Sequence, residues 1–402
     1  MRILISGASI AGPVLAYWLT RRGFDVTVVE RAPALRKTGG HAVDLFRPAM
    51  EISERMGVLP RIEDHATGTT LLKVHRPWAA RPARIDYLKL IGAVSDRHVE
   101  IMRDDLSEIY YHASSEDAEY IFGDEITAIT RDGDVTFEHA APRRFDIVVG
   151  ADGLHSGVRR LVFGDDVGEQ FLGGYLSVVS VPKSLASEGQ MDGYFLPGRV
   201  AMIYTADHLD DARAVFIFRP RIPLNYDHRD VPRQKTQLAS AFSGISGQVD
   251  RWLEEVEHTP AFYFDAITQL QLTSWSRGRV TLVGDAGYCP GPAVGGSTSL
   301  AVYGAYVLAG AIAEAKGDHA SAFAHYEQTM MPSVVGSRAL ARINANTIVP
   351  KSRWGVRALI AGAQLVSVLP LGFTQALAKL NRRGVRLYDS MPLPDYPAVS
   401  TA

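Results

Sequence analysis

The chain opens on a short apolar run, RILIS at residues 2–6, that predicts a strand. A glycine-bounded turn follows, then helical apolar spacing over residues 13–22 and a second apolar strand at residues 25–29. Pro13 stands in the first turn of that helix, where proline is tolerated, and Gly23 ends it. Strand, glycine turn, helix and strand are the opening of a doubly wound nucleotide-binding domain. From about residue 175 to 272 the pattern changes. YLSVVSV, MDGYFL, VAMIYT, RAVFIF and FYFDAITQLQL read as strands of a mixed or antiparallel sheet, with a helical interval around 234–256. After Gly278, RVTLVGD predicts a return to a buried strand. Residues 297–316 predict a long helix, so apolar all round that it must be buried.

The expected fold class is α/β: a Rossmann-like domain, doubly wound on a mostly parallel sheet, interrupted by a β-rich substrate domain and followed by C-terminal helices. The nucleotide domain is expected to be discontinuous, at 1–75, 98–170 and 276–330. The substrate domain takes 76–97 and 171–275, and the helical segment 331–402. A length of 402 residues suits two joined domains with an appendage. One stretch complicates this picture. Residues 356–380 are apolar nearly far enough to span a bilayer, but Gln364, Ser367, Thr374 and Gln375 punctuate them and Pro370 breaks them. A packed helix pair, without membrane association, is the expectation.

A formal net charge of −2 gives no electrostatic reason for a nucleic-acid partner. The only cysteine, Cys289, excludes an intramolecular disulfide, disfavours a thiolate zinc site and fits a reducing cytoplasm. The histidines show no metal-ligand spacing, and the N-terminus lacks a signal-peptide pattern. A monomer or homodimer is expected.

The chemistry lies in three segments. The first is Gly7-Ala-Ser-Ile-Ala-Gly12, between the first strand and its helix. Gly7 permits the tight turn and Gly12 close packing of helix on strand. The helix start, with Ser9 and Ala11, offers N–H groups to a pyrophosphate. Glu30 ends the second strand 18 residues after Gly12, where an acid grips the hydroxyls of an adenosine ribose and disfavours a 2′-phosphate. Arg31 reads equally as a neighbour of the adenine or the phosphates and as a plain surface arginine. The second segment, Gly150 to Arg159, follows FDIVV. The third, Gly284-Asp285-Ala286, follows VTLV, and Asp285 can accept from the hydroxyls of a ribityl chain. Beyond Pro290 and Pro292, the helix opening at Gly295, Gly296 and Ser297 would point its N-terminus at a flavin. There it would favour reduced, negative flavin by about 0.3–2 kcal/mol. The three segments together select FAD over NAD.

In these motifs the chain resembles the class A flavoprotein monooxygenases, the family of para-hydroxybenzoate hydroxylase, over about residues 1–330. Within it, the chain is most similar to the tetracycline-modifying group. The resemblance implies that Gly7, Ser9 and Gly12 hold the FAD pyrophosphate, and Glu30 and Arg31 the ribose and adenine. It places Gly40 and Asp44 at the isoalloxazine edge and makes Arg103, in Arg103-Asp-Asp-Leu106, an FAD ligand. It ties Asp152 to both FAD and nicotinamide, Asp285 to the ribityl chain and Pro292 to the ring. The departures are Ser9 for the middle glycine, Tyr288 for a histidine, Ser297 and Ser299 within the helix opening, and Gly304 for an aspartate.

The activity so implied uses NADH or NADPH as a transient reductant. O2 then adds at the flavin C4a, and the hydroperoxide hydroxylates an aromatic or polyketide-like small molecule. Such chemistry requires no protein nucleophile, and no catalytic residue stands out. Tyr194, Phe195, Phe216 and Phe218 are candidates to line a substrate pocket between the middle sheet and the flavin. Cys289 reads as a small buried side chain. A Baeyer–Villiger oxygenation, an oxidase or a ring reductase is the alternative chemistry, and a flavin-binding partner without turnover the alternative class.

Overall fold

The computed structural model describes residues 1–35, 39–95, 97–164, 167–225, 227–259, 261–292, 296–370, 372 and 387–396. Its first sheet has six strands in the order Ser276–Arg277, Val280–Leu282, Ile147–Gly150, Arg2–Ser6, Asp25–Glu30 and Glu119–Phe122. All neighbours are parallel except the short Ser276–Arg277 edge. Helices cover both faces, which is why the central strands are continuous apolar runs: Ile3, Leu4, Ile5, Val148 and Val149 are fully buried. Three stretches far apart in sequence therefore end side by side at Ser6, Gly150 and Leu282. The carboxyl ends of such strands are where ligands bind.

The first helix spans Ala11–Thr20, starting two residues earlier than its apolar spacing suggests. Gly7 has φ +107°, and a Cβ there would stand 2.5 Å from the Ala151 carbonyl oxygen. A Cβ on Gly12 would overlap the carbonyl of Gly7. Both glycines are required by close backbone approach.

The second sheet has seven strands in the order Phe262–Leu270, Glu169–Pro182, Asp211–Phe218, Arg199–Tyr204, Gln190–Leu196, Leu71–His75 and Ala83–Asp86. It is antiparallel apart from the pairing of Gln190–Leu196 with Leu71–His75. Leu71–His75, assigned to the nucleotide domain by the boundary at 75, thus belongs to this sheet. A five-residue strand reached by a long crossover gives no local sign of which sheet it joins. The helical interval is two helices, Val231–Phe242 and Gly247–Glu254. They cover one face of the sheet through Phe242 and Trp252. The other face carries Val178, Tyr204 and Ile217 and lies under Ala341, Ala345 and Ile360. These come from the helices His319–Ile348 and Arg353–Val368. Among the described residues no helix is long and apolar enough to cross a membrane. The partner helix expected beyond Pro370 falls outside the described residues, apart from Gly372.

The last described residues, 387–396, lace across the buried helix Ser297–Glu314. Tyr303 and Tyr306 donate to the carbonyls of Pro392 and Pro394 at 2.7 and 2.9 Å. A Cβ on Gly310 would overlap the ring of Tyr396, and one on Gly296 the ring of Tyr388. The small residues of this helix are therefore the complement of the tail. Tyr388 is fully enclosed, stacks on Phe46 at 5.2 Å and hydrogen-bonds Ser337 at 2.8 Å. Tyr388→Ala should cost about 3–5 kcal/mol, the range for emptying a large aromatic site. Urea unfolding checks this; a midpoint equal to wild type would show that the tail is not part of the folded core.

Candidate functional site

At the carboxyl ends of the parallel strands lies a cleft of about 360 Å³. Gly7, Ser9 and Ala11 line it from the first turn, and Glu30 and Arg31 from the second strand. Asp152 lines it from the second segment, and Asp285, Pro292 and Ser297 from the third, with Arg103 facing them. The distant segments thus meet in one cavity.

Local geometry explains several of these residues. Glu30 accepts from the backbone N–H of Ala8 and of Ala32, each at 2.9 Å, which fixes the carboxylate and leaves lone pairs for hydroxyl donors. Ser9, standing where glycine is usual, accepts a hydrogen bond from Arg103 Nη2 at 3.2 Å. Ser107 donates to the Ser9 carbonyl at 3.1 Å. The hydroxyl that departs from the glycine pattern therefore helps to dock the helix Arg103–Ser114 on the turn. Asp152 accepts from the N–H of Val158 at 3.1 Å and from the Ser156 hydroxyl. Arg159 donates to the carbonyls of Ala286 and Leu154, locking the second segment to the third.

Two helices, Ala11–Thr20 and Ser297–Glu314, begin at this cleft without a side-chain cap. Their first N–H groups lack intrahelical partners and their dipoles are positive at the cavity. An acid placed for a ribose, two uncapped helix starts, Arg103 and the Asp285 carboxylate are the donor and acceptor set that FAD demands. Glu30 and the first turn would hold its adenosine and pyrophosphate, and Asp285 its ribityl chain. The start of the buried helix would face its ring.

The remaining expected residues lie elsewhere. Gly12 sits behind the turn. Gly40 is one residue from the wall: its N–H donates to Asp104 at 2.8 Å and its carbonyl accepts from the buried Arg213 at 2.9 Å. Asp44 is not a cleft residue; it pairs with His98 at 2.7 Å, opposite Glu100 on the adjoining strand. Gly295 lies outside the described residues. Gly296 supplies the left-handed residue, φ +80°, before the buried helix. Among the proposed substrate residues, Phe216 and Phe218 point under the two covering helices and are plain core, while Tyr194 is half-buried between Trp252 and His75, on which it stacks at 4.7 Å. Phe195 alone faces the C-terminal helices.

Sequence reasoning missed His41, His155, Tyr263 and Asp265, all of which line the cleft. Tyr263 and Asp265 share one face of the edge strand Phe262–Leu270. Asp265 is buried, accepting from His155 at 2.8 Å, and His155 stacks on His228 at 4.3 Å. An aspartate inside an otherwise apolar strand was the available signal. His41 is held neutral: burial, with the Arg103 guanidinium adding to it, lowers its pKa to about 4. Burial raises the carboxyl of Asp285, and Arg103 opposes that rise. Burial and Asp285 push the Cys289 thiol up, so it stays protonated, a small buried group as expected.

The two departures near the flavin loop prove to be one. A Cβ on Gly304 would collide with the hydroxyl of Tyr288. That hydroxyl accepts from Tyr326 at 3.1 Å. A larger residue at 288 is accommodated by the smallest at 304.

With this geometry in hand, comparison with known proteins is direct. A family described as an FAD binding domain matches residues 1–332, and the chain belongs to it. A flavin-dependent monooxygenase from an unknown prokaryotic organism is 37% identical over 347 residues, covering 84% of this chain and 88% of its own. An FAD-dependent monooxygenase of Sarocladium schorii is 30% identical and covers 99% of this chain and 98% of its own. The crystal structure of tetracycline destructase Tet(51) superposes with a TM-score of 0.83 at 30% identity, over 98% of this chain and 99% of that one. The protein is a flavoprotein monooxygenase with FAD as its cofactor.

Two outcomes follow from the site. Gly304→Asp alone should destabilise by about 1–3 kcal/mol through overpacking. Adding Tyr288→His should recover most of the loss in a double-mutant cycle of unfolding free energies; additivity would show that the two positions are independent. The second concerns acid. An unfolded chain protonates His41 near pH 6.5, about the usual value, whereas the folded state does so only near 4. Acid therefore favours unfolding across that window: the stability is complete above 6.5 and lost as pH falls to 4. His41→Gln should flatten the loss of stability between pH 7 and 5, measured as urea midpoints. An unchanged slope would place the ring in solvent.

Proposed function

We propose that this protein hydroxylates an aromatic or polyketide-like small molecule, taking electrons from NADH or NADPH and one oxygen atom from O2. The observation that carries the reading is a shared wall. The cleft that suits FAD is bounded on one side by Asp285 and the uncapped buried helix, and on the other by Tyr263 and Asp265 of the second sheet. A substrate held on that sheet therefore meets the reactive end of the cofactor. FAD, when bound, supplies electron storage and the activation of O2.

The chain's own residues have three tasks. They orient the substrate, keep water out and set the local charge. The apolar sheet face with Val178, Met191 and Ile217, roofed by Ala341, Ala345 and Ile360, provides a dry surroundings for oxygen transfer. Uncapped N–H groups at Ser297 and Thr298 favour negative charge where the ring would lie. The related Tet(51) is by name a tetracycline destructase, which favours a polycyclic, oxygen-rich substrate for this chain as well. Glu30 bears only on the resident dinucleotide and is silent about NADH versus NADPH.

The test is a panel of aromatic and polyketide-like compounds added to the FAD-loaded protein. Oxidation of NADH or NADPH and uptake of O2 should accelerate with the right compound, and the product should be heavier by one oxygen. Consumption of reductant that no compound stimulates, or a product without added oxygen, would sink the proposal.

A further inference from the structure

Arg338 stands on the long helix His319–Ile348, on the stripe that also carries Ala341 and Ala345 toward the second sheet. It is 8% exposed. Its Nε and Nη2 are buried without a hydrogen-bond partner, and among the described residues no carboxylate pairs with it. Two other deeply buried arginines, Arg159 and Arg213, each also keep one buried nitrogen without a hydrogen-bond partner, but both are anchored through their remaining nitrogens. Arg159 holds the carbonyls of Ala286 and Leu154, and Arg213 holds Gly40 and Asp211. Arg338 is different.

The Gln269 amide, which touches the Arg338 backbone, has no acceptor left over for the guanidinium. Gln269 Nε2 donates to the carbonyls of Arg338 and Pro290, each at 3.0 Å. Gln269 Oε1 is occupied by Gln271 at 2.6 Å and Arg342 at 3.3 Å. The adjacent Cys289 thiol stays protonated and brings no charge. A guanidinium cannot shed its proton in a protein, and a buried uncompensated cation is costly. Burial, with Arg342 nearby, pushes its pKa down, as expected of a cation without a counter-ion. The position is also telling. The Gln269 amide bridges the backbone carbonyl of Arg338 to that of Pro290, in the loop whose flanks, Asp285 and Pro292, line the flavin cleft.

We propose that Arg338 recognises an anionic oxygen of the substrate: a carboxylate, phenolate or enolate held between the long helix, Gln269 and the Cys289–Pro290 turn. The inference rests on the reading that this chain oxygenates a small molecule beside FAD. A guanidinium suits such a group because its planar fork donates two parallel hydrogen bonds. A phenolate or enolate is moreover electron-rich at carbon, which is what an electrophilic oxygen atom attacks.

The test uses benzoate as the anionic probe and benzamide as its neutral isostere, titrated calorimetrically into FAD-loaded wild type, Arg338→Met and Arg338→Lys. Benzoate should bind wild type, and its affinity should fall about tenfold or more in the Met variant, as for loss of a charge-assisted hydrogen bond. The Lys variant should keep part of it, and benzamide should not distinguish the three. The melting temperature of Arg338→Met should equal or exceed that of wild type, because an unpaired buried charge has been removed. A wild type that ignores benzoate, equal benzoate affinity in wild type and Arg338→Met, or loss of the fold in Arg338→Met and Arg338→Gln alike would overturn the assignment. Arg338-dependent benzoate binding by FAD-loaded protein whose consumption of reductant no compound stimulates would instead refute the oxygenation reading and leave the anion site standing.

Discussion

Where the first strand ends, Gly7 turns the backbone against the carbonyl of Ala151, with too little space for even a methyl group between them. That contact joins two stretches more than a hundred residues apart. Arg159 continues it by holding the carbonyl of Ala286. Without these close approaches the ends of the parallel strands would not converge, and Glu30, Asp152 and Asp285 would face separate surfaces. The cleft exists because three backbone segments touch where side chains have been removed. Its chemistry then comes from acids and helix ends that such contact leaves exposed to a ligand.

Charge in the cleft is arranged around burial. Asp285, Asp152 and Asp104 all have their carboxyls pushed up by burial, and each is restrained by a neighbour: the nearby charge of Arg103 for Asp285, hydrogen bonds from Ser156 and Val158 for Asp152, and the Gly40 N–H with the nearby charge of Arg213 for Asp104. His41 is kept neutral by the same burial and by Arg103. Arg103 thus acts on both an acid and a base while also hydrogen-bonding Ser9 of the first turn. A single guanidinium links the placement of the turn to the protonation of its neighbours.

The nucleotide half of this arrangement was legible because its signals are local. A glycine turn, a buried strand and an acid at its end sit within thirty residues, and the period of each element names it. The substrate half was less legible for a definite reason. Alternation tells which residues share a face of a strand, but not which face meets the cofactor. Phe216 and Phe218 share a face, and it proved to be the one under Phe242 and Trp252. Tyr263 and Asp265 share the face that lines the cleft, and the one acid of their strand was the clue. Tyr288 and Gly304 read as separate oddities because sixteen positions divide them in sequence. Only a packed helix shows that one fills the space the other vacates.

The tail laced over the buried helix has a further consequence. The first sheet needs both its strand at Ile147–Gly150 and the one at Val280–Leu282 that pairs with it, while Gly296 beside the cleft is packed by Tyr388. Chains emerge from the ribosome N-terminus first. The strand at Ile147–Gly150, paired early with Arg2–Ser6, must therefore keep its other edge open until Val280–Leu282 has been made, and the surroundings of the cleft are complete only once Tyr388 has followed.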